Sequence, residues 1–202
     1  MTERAATGAG RPPVRRAGRW RLEDGSEVLW SVAEGRRGRR WRSSVWRKGA
    51  CVQSLLLEAA RSGRPGRLEV VAPAGLLTLH PDAGDASAHG NVVGRDGVRS
   101  LAHGWSPEHG IVVERDPIPT LVLLARLAES VGVEDQASLP VLAVAEDLRV
   151  EEGTLVVRRL TVDTWRLGAG DTTRESTLIV GEDGLPGGPG TVEWALEADE
   201  RS

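Results

Sequence analysis

Four histidines, His80, His89, His103 and His109, fall in one stretch of the chain with Asp82, Asp85, Glu108 and Asp116 among them. Neutral imidazole is a good metal ligand and the obvious general base near neutral pH, so chemistry would be sought here first. On neighbouring strands His80, His89 and His103 can converge. Their spacing matches no established ligand pattern: there is no His-Glu-x-x-His, no paired cysteine and no His-x-His. The turns His80-Pro81-Asp82 and His89-Gly90-Asn91 suit a polar patch lining a ligand, or plain structural histidines. No catalytic residue, metal ligand or cofactor is assigned on this evidence.

Other reactive groups are scarce. The chain has no G-x-S-x-G elbow. The glycine-rich tracts at 168–170 and 187–190 lack lysine and the strand–glycine–helix order of a phosphate loop. The lone cysteine, Cys51, reads as a small buried hydrophobe. The run Arg36-Arg37-Gly38-Arg39-Arg40-Trp41-Arg42 mixes cations with an aromatic, as single-strand nucleic-acid binders do. Its arginines crowd one turn, which favours a hairpin tip with a solvated arginine face and an inward Trp41. Nucleic acid is therefore not the expected partner.

Phe and Tyr are absent, so seven tryptophans supply every aromatic ring among 202 residues. Trp30, Trp41, Trp46, Trp105, Trp165 and Trp194 sit in strand-like runs or beside turns. Each offers a large apolar surface with one N–H donor, which is what a site for an amphiphile requires. The net charge of −3 hides a split: residues 1–50 carry +8 and the remainder −11. That split suits either an anionic-partner surface or a solvated β face opposite an acidic one.

These side chains depend on the elements that hold them. Residues 1–16 are Ala, Gly, Pro and Arg with almost no large apolar group, and read as a disordered tail. They contain no apolar signal segment, and the longest apolar run, Leu121–Leu127, is too short to span a bilayer, so a cytoplasmic protein is expected. A single domain is expected over 17–198, with 199–202 a second tail. Val28, Trp30 and Val32 alternate with polar neighbours, as do Trp41, Ser43 and Val45, and Trp30 is expected to meet Trp41 across that hairpin. Further strand-like runs and turn signals follow at regular spacing, about ten strands in all, although Leu55–Ala60 also reads as helix. One element differs in kind. Asp116 is a natural N-cap, Pro117 suits the first helical position, and residues 117–131 are apolar nearly all round, ending at Gly132. Ten strands with one buried helix predict an α+β fold: a strongly curved antiparallel sheet, half-barrel-like, wrapped around the helix.

Three local features carry a resemblance to a known family. They are Trp105-Ser106-Pro107-Glu108 running through Ile111 into Pro117-Ile118 and the helix, the strand ending in Gly181-Glu182-Asp183-Gly184-Leu185, and the closing Glu193-Trp194. In these the chain resembles a bacterial family described as glycolipid-binding, related in fold to the LolA/LolB lipoprotein carriers and the LprG-like glycolipid carriers. The chain departs from it by an acidic 132–152 segment and by lacking tyrosine. The resemblance implies an unclosed barrel over a helix, and a fold more than a ligand.

The leading expectation is a protein that binds an amphiphilic small molecule in the concave face of the sheet. Trp30, Trp41 and Trp105 would give contact area, and His80, His89, Asn91 and His103 polar anchoring. The alternatives are an enzyme built on the histidines, with or without a metal, and an interaction protein using the basic N-terminal half.

Overall fold

The computed structural model describes residues 15–82, 84, 86–169 and 175–195. In chain order its elements are β1 (Arg15–Arg21), β2 (Glu27–Gly35), β3 (Gly38–Arg47), β4 (Ala50–Ala59), β5 (Pro65–Ala72), β6 (Gly75–Asp82), β7 (Ser87–Gly94), β8 (Gly97–Gly104) and β9 (Gly110–Val113). Helix α1 (Ile118–Leu127) follows, then β10 (Gln136–Val144), β11 (Val150–Arg159), β12 (Thr164–Ala169), β13 (Glu175–Ile179), a 3-10 turn at Glu182–Gly184 and β14 (Thr191–Ala195).

The strands form two sheets. Nine lie in the order β14-β1-β2-β3-β4-β5-β6-β7-β8, and five in the order β13-β12-β11-β10-β9. The larger sheet curls into a half-barrel. Two sheets replace the single ten-stranded sheet expected, and the reason is the connection at the helix. Strands β9 and β10 pair in parallel, with α1 as their crossover. A parallel pair cannot be joined by a hairpin, so the meander stops at β8 and a new sheet begins.

Alternation along β2 and β3 builds the concave floor. Val28, Trp30 and Val32, and Trp41, Ser43 and Val45, are buried while their neighbours are at least partly exposed. Register carries the inward row across the sheet as Gly18, Trp30, Ser43, Leu55, Val70, Leu77 and Val92. Leu55–Ala59 lies within strand β4 and is not helical. Outward residues form a different row, Val71, Leu76, Val93 and Val98, which is solvent-exposed.

Helix α1 lies between the sheets, with Ile118–Leu124 all buried. It sits so close to β9 that a Cβ on Gly110 would overlap the Leu123 side chain. On its other flank a Cβ on Gly184 would stand 2.8 Å from Ala125 Cβ. The helix is shorter than the 117–131 expected, because residues 128–130 form a turn. Arg159 on β11 explains the early stop: its Nη1 donates to the carbonyls of Ala128 (3.0 Å) and Val131 (2.8 Å). A cation holding the last carbonyls is a favourable helix end.

Of the expected N-terminal tail, residues 1–14 lie outside the described residues, as does 199–202. Arg15 and Arg16 instead open β1, which pairs with both β2 and β14. Among the described residues no helix is long and apolar enough to cross a membrane.

Candidate functional site

The structure separates the residues that the sequence grouped. Trp30 and Trp41 are buried on the concave floor, their ring centroids 6.1 Å apart. They meet diagonally, since Trp30 is directly opposite Ser43 and Trp41 opposite Val32. His103 shares the inward face, opposite buried Ala88, with Nδ1 3.6 Å from Glu152. His80 and His89 are opposite each other on the outer face, where their rings stack at 5.8 Å. Asn91 is also exposed there, between Thr78 and Ser100. Trp105 is buried in the loop after β8, its ring 5.2 Å from His109. Backbone N–H of Ser106 donates to His109 Nδ1 at 3.0 Å, so that imidazole holds its own loop together. No group of three metal-ligating side chains forms among the described residues.

Cys51 likewise departs from expectation. It is exposed, opposite Trp46 where a bulge shifts the β3–β4 register. Acidic neighbours neutralise part of the basic charge on the N-terminal strands. Arg16 pairs with Glu193 and Asp183, Arg39 with Glu34, and Arg40 with Glu58.

A different set of residues does converge. Ser43, on the floor of β3, donates its hydroxyl to Asp116 Oδ2 at 2.5 Å. Pro117, not the expected Asp116, is the N-cap of α1; Asp116, one residue earlier, accepts the backbone N–H of Ile118 on Oδ1 at 3.0 Å and so holds the start of the helix to the sheet. The bond follows from sequence: aspartate before Pro117 offers an acceptor where the helix has free N–H groups. Asp116 is completely buried, and burial pushes its carboxyl up to about 6, partly offset by the bonds from Ser43 and Ile118.

Three more side chains with polar atoms occupy neighbouring positions on the same face. Trp30 stands directly opposite on β2, Trp41 two residues away on β3, and Gln53 diagonally across on β4, two residues before the Leu55 that pairs with Ser43. Sheet geometry places such neighbours within roughly 5–8 Å, Cβ to Cβ. Trp30 Nε1, Trp41 Nε1 and Gln53 Nε2 are buried without a hydrogen-bond partner in the protein. Trp30 lies over Gly18, where a Cβ would come within 2.6 Å of Cζ2 and 2.8 Å of Cε2. The sequence reading missed Gln53, and it placed Asp116 with the histidines and at the helix start, not beside Ser43. The signal for Gln53 was its parity with Leu55 and Leu57, hidden by the unbroken Leu55-Leu56-Leu57 run.

The 105–109 loop is braced from the far end of the helix. Arg126 donates to the carbonyls of Pro107 (3.3 Å), Glu108 (3.1 Å) and His109 (3.2 Å), and its half-burial lowers its proton affinity. On the outer surface a shallow depression of about 530 Å³ is lined by Arg21, Glu27, Leu29, Trp46 and Lys48.

Fold and site together define a curled-sheet protein with a helix laid across its concave floor and a small polar cluster beneath that helix. No family model matches the chain, and no curated protein does. Among solved structures it is similar to the crystal structure of a DUF1089-family protein from Pseudomonas aeruginosa, at 17% identity and a TM-score of 0.51. The match covers 92% of this chain and 95% of that one, so the likeness is of the whole fold.

Proposed function

We propose that the protein is a non-catalytic binding protein that takes an amphiphilic, lipid-like molecule between the curled sheet and α1, acting in the cytoplasm. The observation that carries this reading is the buried Ser43–Asp116 pair, a polar spot set in an otherwise apolar interior where helix and sheet meet. Ligand sites are typically apolar surfaces with a few polar groups that fix orientation. The acyl part would lie along the rows of Leu and Val side chains, and the head would sit at Ser43. Because α1 covers the floor, uptake requires the helix to lift, and the Ser43–Asp116 bond is the polar contact such a movement breaks.

The histidine-based alternative has less in its favour. His80 and His89 face away from His103, and His109 is engaged by Ser106. Native mass spectrometry of gently purified protein tests the proposal. The expected result is a mass excess of lipid size that disappears on denaturation. A protein that shows none, and gains none after incubation with monoolein, oleate or oleylamine, would overturn it.

A further inference from the structure

We infer that the depression at one end of the outer sheet face is a binding site for a flat aromatic anion, in its simplest form an aryl carboxylate. It lies on the face of the sheet opposite Ser43 and is independent of the reading of the interior. One cross-strand row and a hairpin turn build it. Glu27 on β2 pairs with Arg21 on β1 and with Trp46 on β3, so these three side chains stand side by side across the sheet. Leu29, two residues along β2, and Lys48, two residues beyond Trp46, border the same depression. Its volume of about 530 Å³ is that of a small-molecule site.

Its apolar part is a ring surface. Trp46 is 37% exposed, and its indole Nε1 donates to Ser44 Oγ at 3.0 Å. The N–H is thus spent and the indole held, leaving an aromatic surface near Leu29 on which another ring can stack. Its charge is set by Lys48. Glu27 is met by Arg19 (3.4 Å) and Arg21 (3.8 Å), whereas Lys48 is exposed and has no ion-pair partner among the described residues.

Lys48 is also out of place in its turn. Of 26 Lys and Arg residues it is the only lysine. With Gly49 it makes the two-residue turn between β3 and β4, at φ 49° followed by 79°. Positive φ at both positions calls for asparagine or glycine, and a lysine there carries a conformational cost. Backbone held in such a region clusters at ligand contacts. An ammonium is moreover a compact charge on a flexible stem, suited to a single carboxylate above the turn. A neutral ring leaves Lys48 unused. A cationic ring meets Arg21 and Lys48, with only Glu27, already shared by two arginines, in its favour.

Amide and indole NMR spectra of the full chain, titrated with 2-naphthoate, 2-naphthamide and 2-naphthylmethylammonium, test this. 2-Naphthoate is expected to shift the Lys48 and Gly49 amides and the Trp46 indole N–H saturably. It should bind about fivefold tighter than 2-naphthamide, the ratio that one exposed ion pair supplies. Lys48→Asn, which suits the turn, should bring 2-naphthoate to the affinity of 2-naphthamide. Trp46→Leu should weaken both about threefold or more. The inference is overturned if saturable shifts fall elsewhere or are absent at millimolar 2-naphthoate, if the amide or ammonium probe binds as tightly as the carboxylate, or if either variant binds 2-naphthoate like the parent. No probe carries an acyl chain, so these outcomes leave the amphiphile reading as it stands.

Discussion

Asp116 ties the helix to the floor through one carboxyl, and its ionisation should be visible in stability. Its carboxyl titrates near 6 in the folded protein against 3.8 unexposed to the fold, so the native state holds its proton over a range where the unfolded chain has lost it. Stability therefore falls as pH rises from about 4 to about 6, by about 3 kcal/mol, and is flat with respect to this group above that. Asp116→Asn keeps an acceptor for Ile118 and offers its amide to Ser43, so urea titrations should show that slope removed. A variant whose stability still declines over the same range would assign the slope to another group. Gly18 makes a second prediction. A Cβ there meets the Trp30 ring and the Val192 carbonyl, so Gly18→Ala should cost about 1–3 kcal/mol. Gly35→Ala, with nothing within 4 Å, should stay within about 0.5 kcal/mol in the same urea assay. At this level the sequence was half readable. Parity put Trp30 and Trp41 on one face of the hairpin, but did not say which tryptophans of the chain turn inward. It said nothing of Ser43–Asp116, because that bond joins residues 73 positions apart.

Helix α1 begins one residue later than its sequence says and ends where a distant residue says. Asp116-Pro117-Ile118 is a local start signal, and the structure uses it. The stop is set by Arg159, 28 and 31 residues from the carbonyls it holds, and no local pattern encodes that. Arg159→Ala should therefore cost on the order of 2 kcal/mol. Amide hydrogen exchange should speed up first over residues 128–134, while the first turn of α1 keeps its protection. Uniform loss of protection along the helix would contradict a role confined to its end. Strand β1 was illegible for a related reason. Arg15 and Arg16 read as the end of a solvated tail until Asp183 and Glu193 are brought beside Arg16.

The molecule as a whole is a helix held between a nine-stranded curled sheet and a five-stranded one. The half-barrel and its buried helix were legible from ten alternating runs and one apolar, capped segment. The second sheet was not, because β9 is only four residues long and its parallel partner lies beyond the helix. The same architecture decides where a ligand can report its presence. Trp20, Trp30, Trp41, Trp105 and Trp165 are buried, whereas Trp46 and Trp194 are exposed. Bromine on an acyl chain quenches indole emission on contact, so a Trp46→Phe/Trp194→Phe protein titrated with a brominated acyl ester separates interior from surface binding. Saturable quenching that survives in this double variant, and shrinks when Trp30→Phe is added, is the result expected if the chain lies between sheet and helix. Quenching that vanishes with Trp46 and Trp194, or that never appears while the ester binds, would place the ligand on the outer face and contradict an interior site.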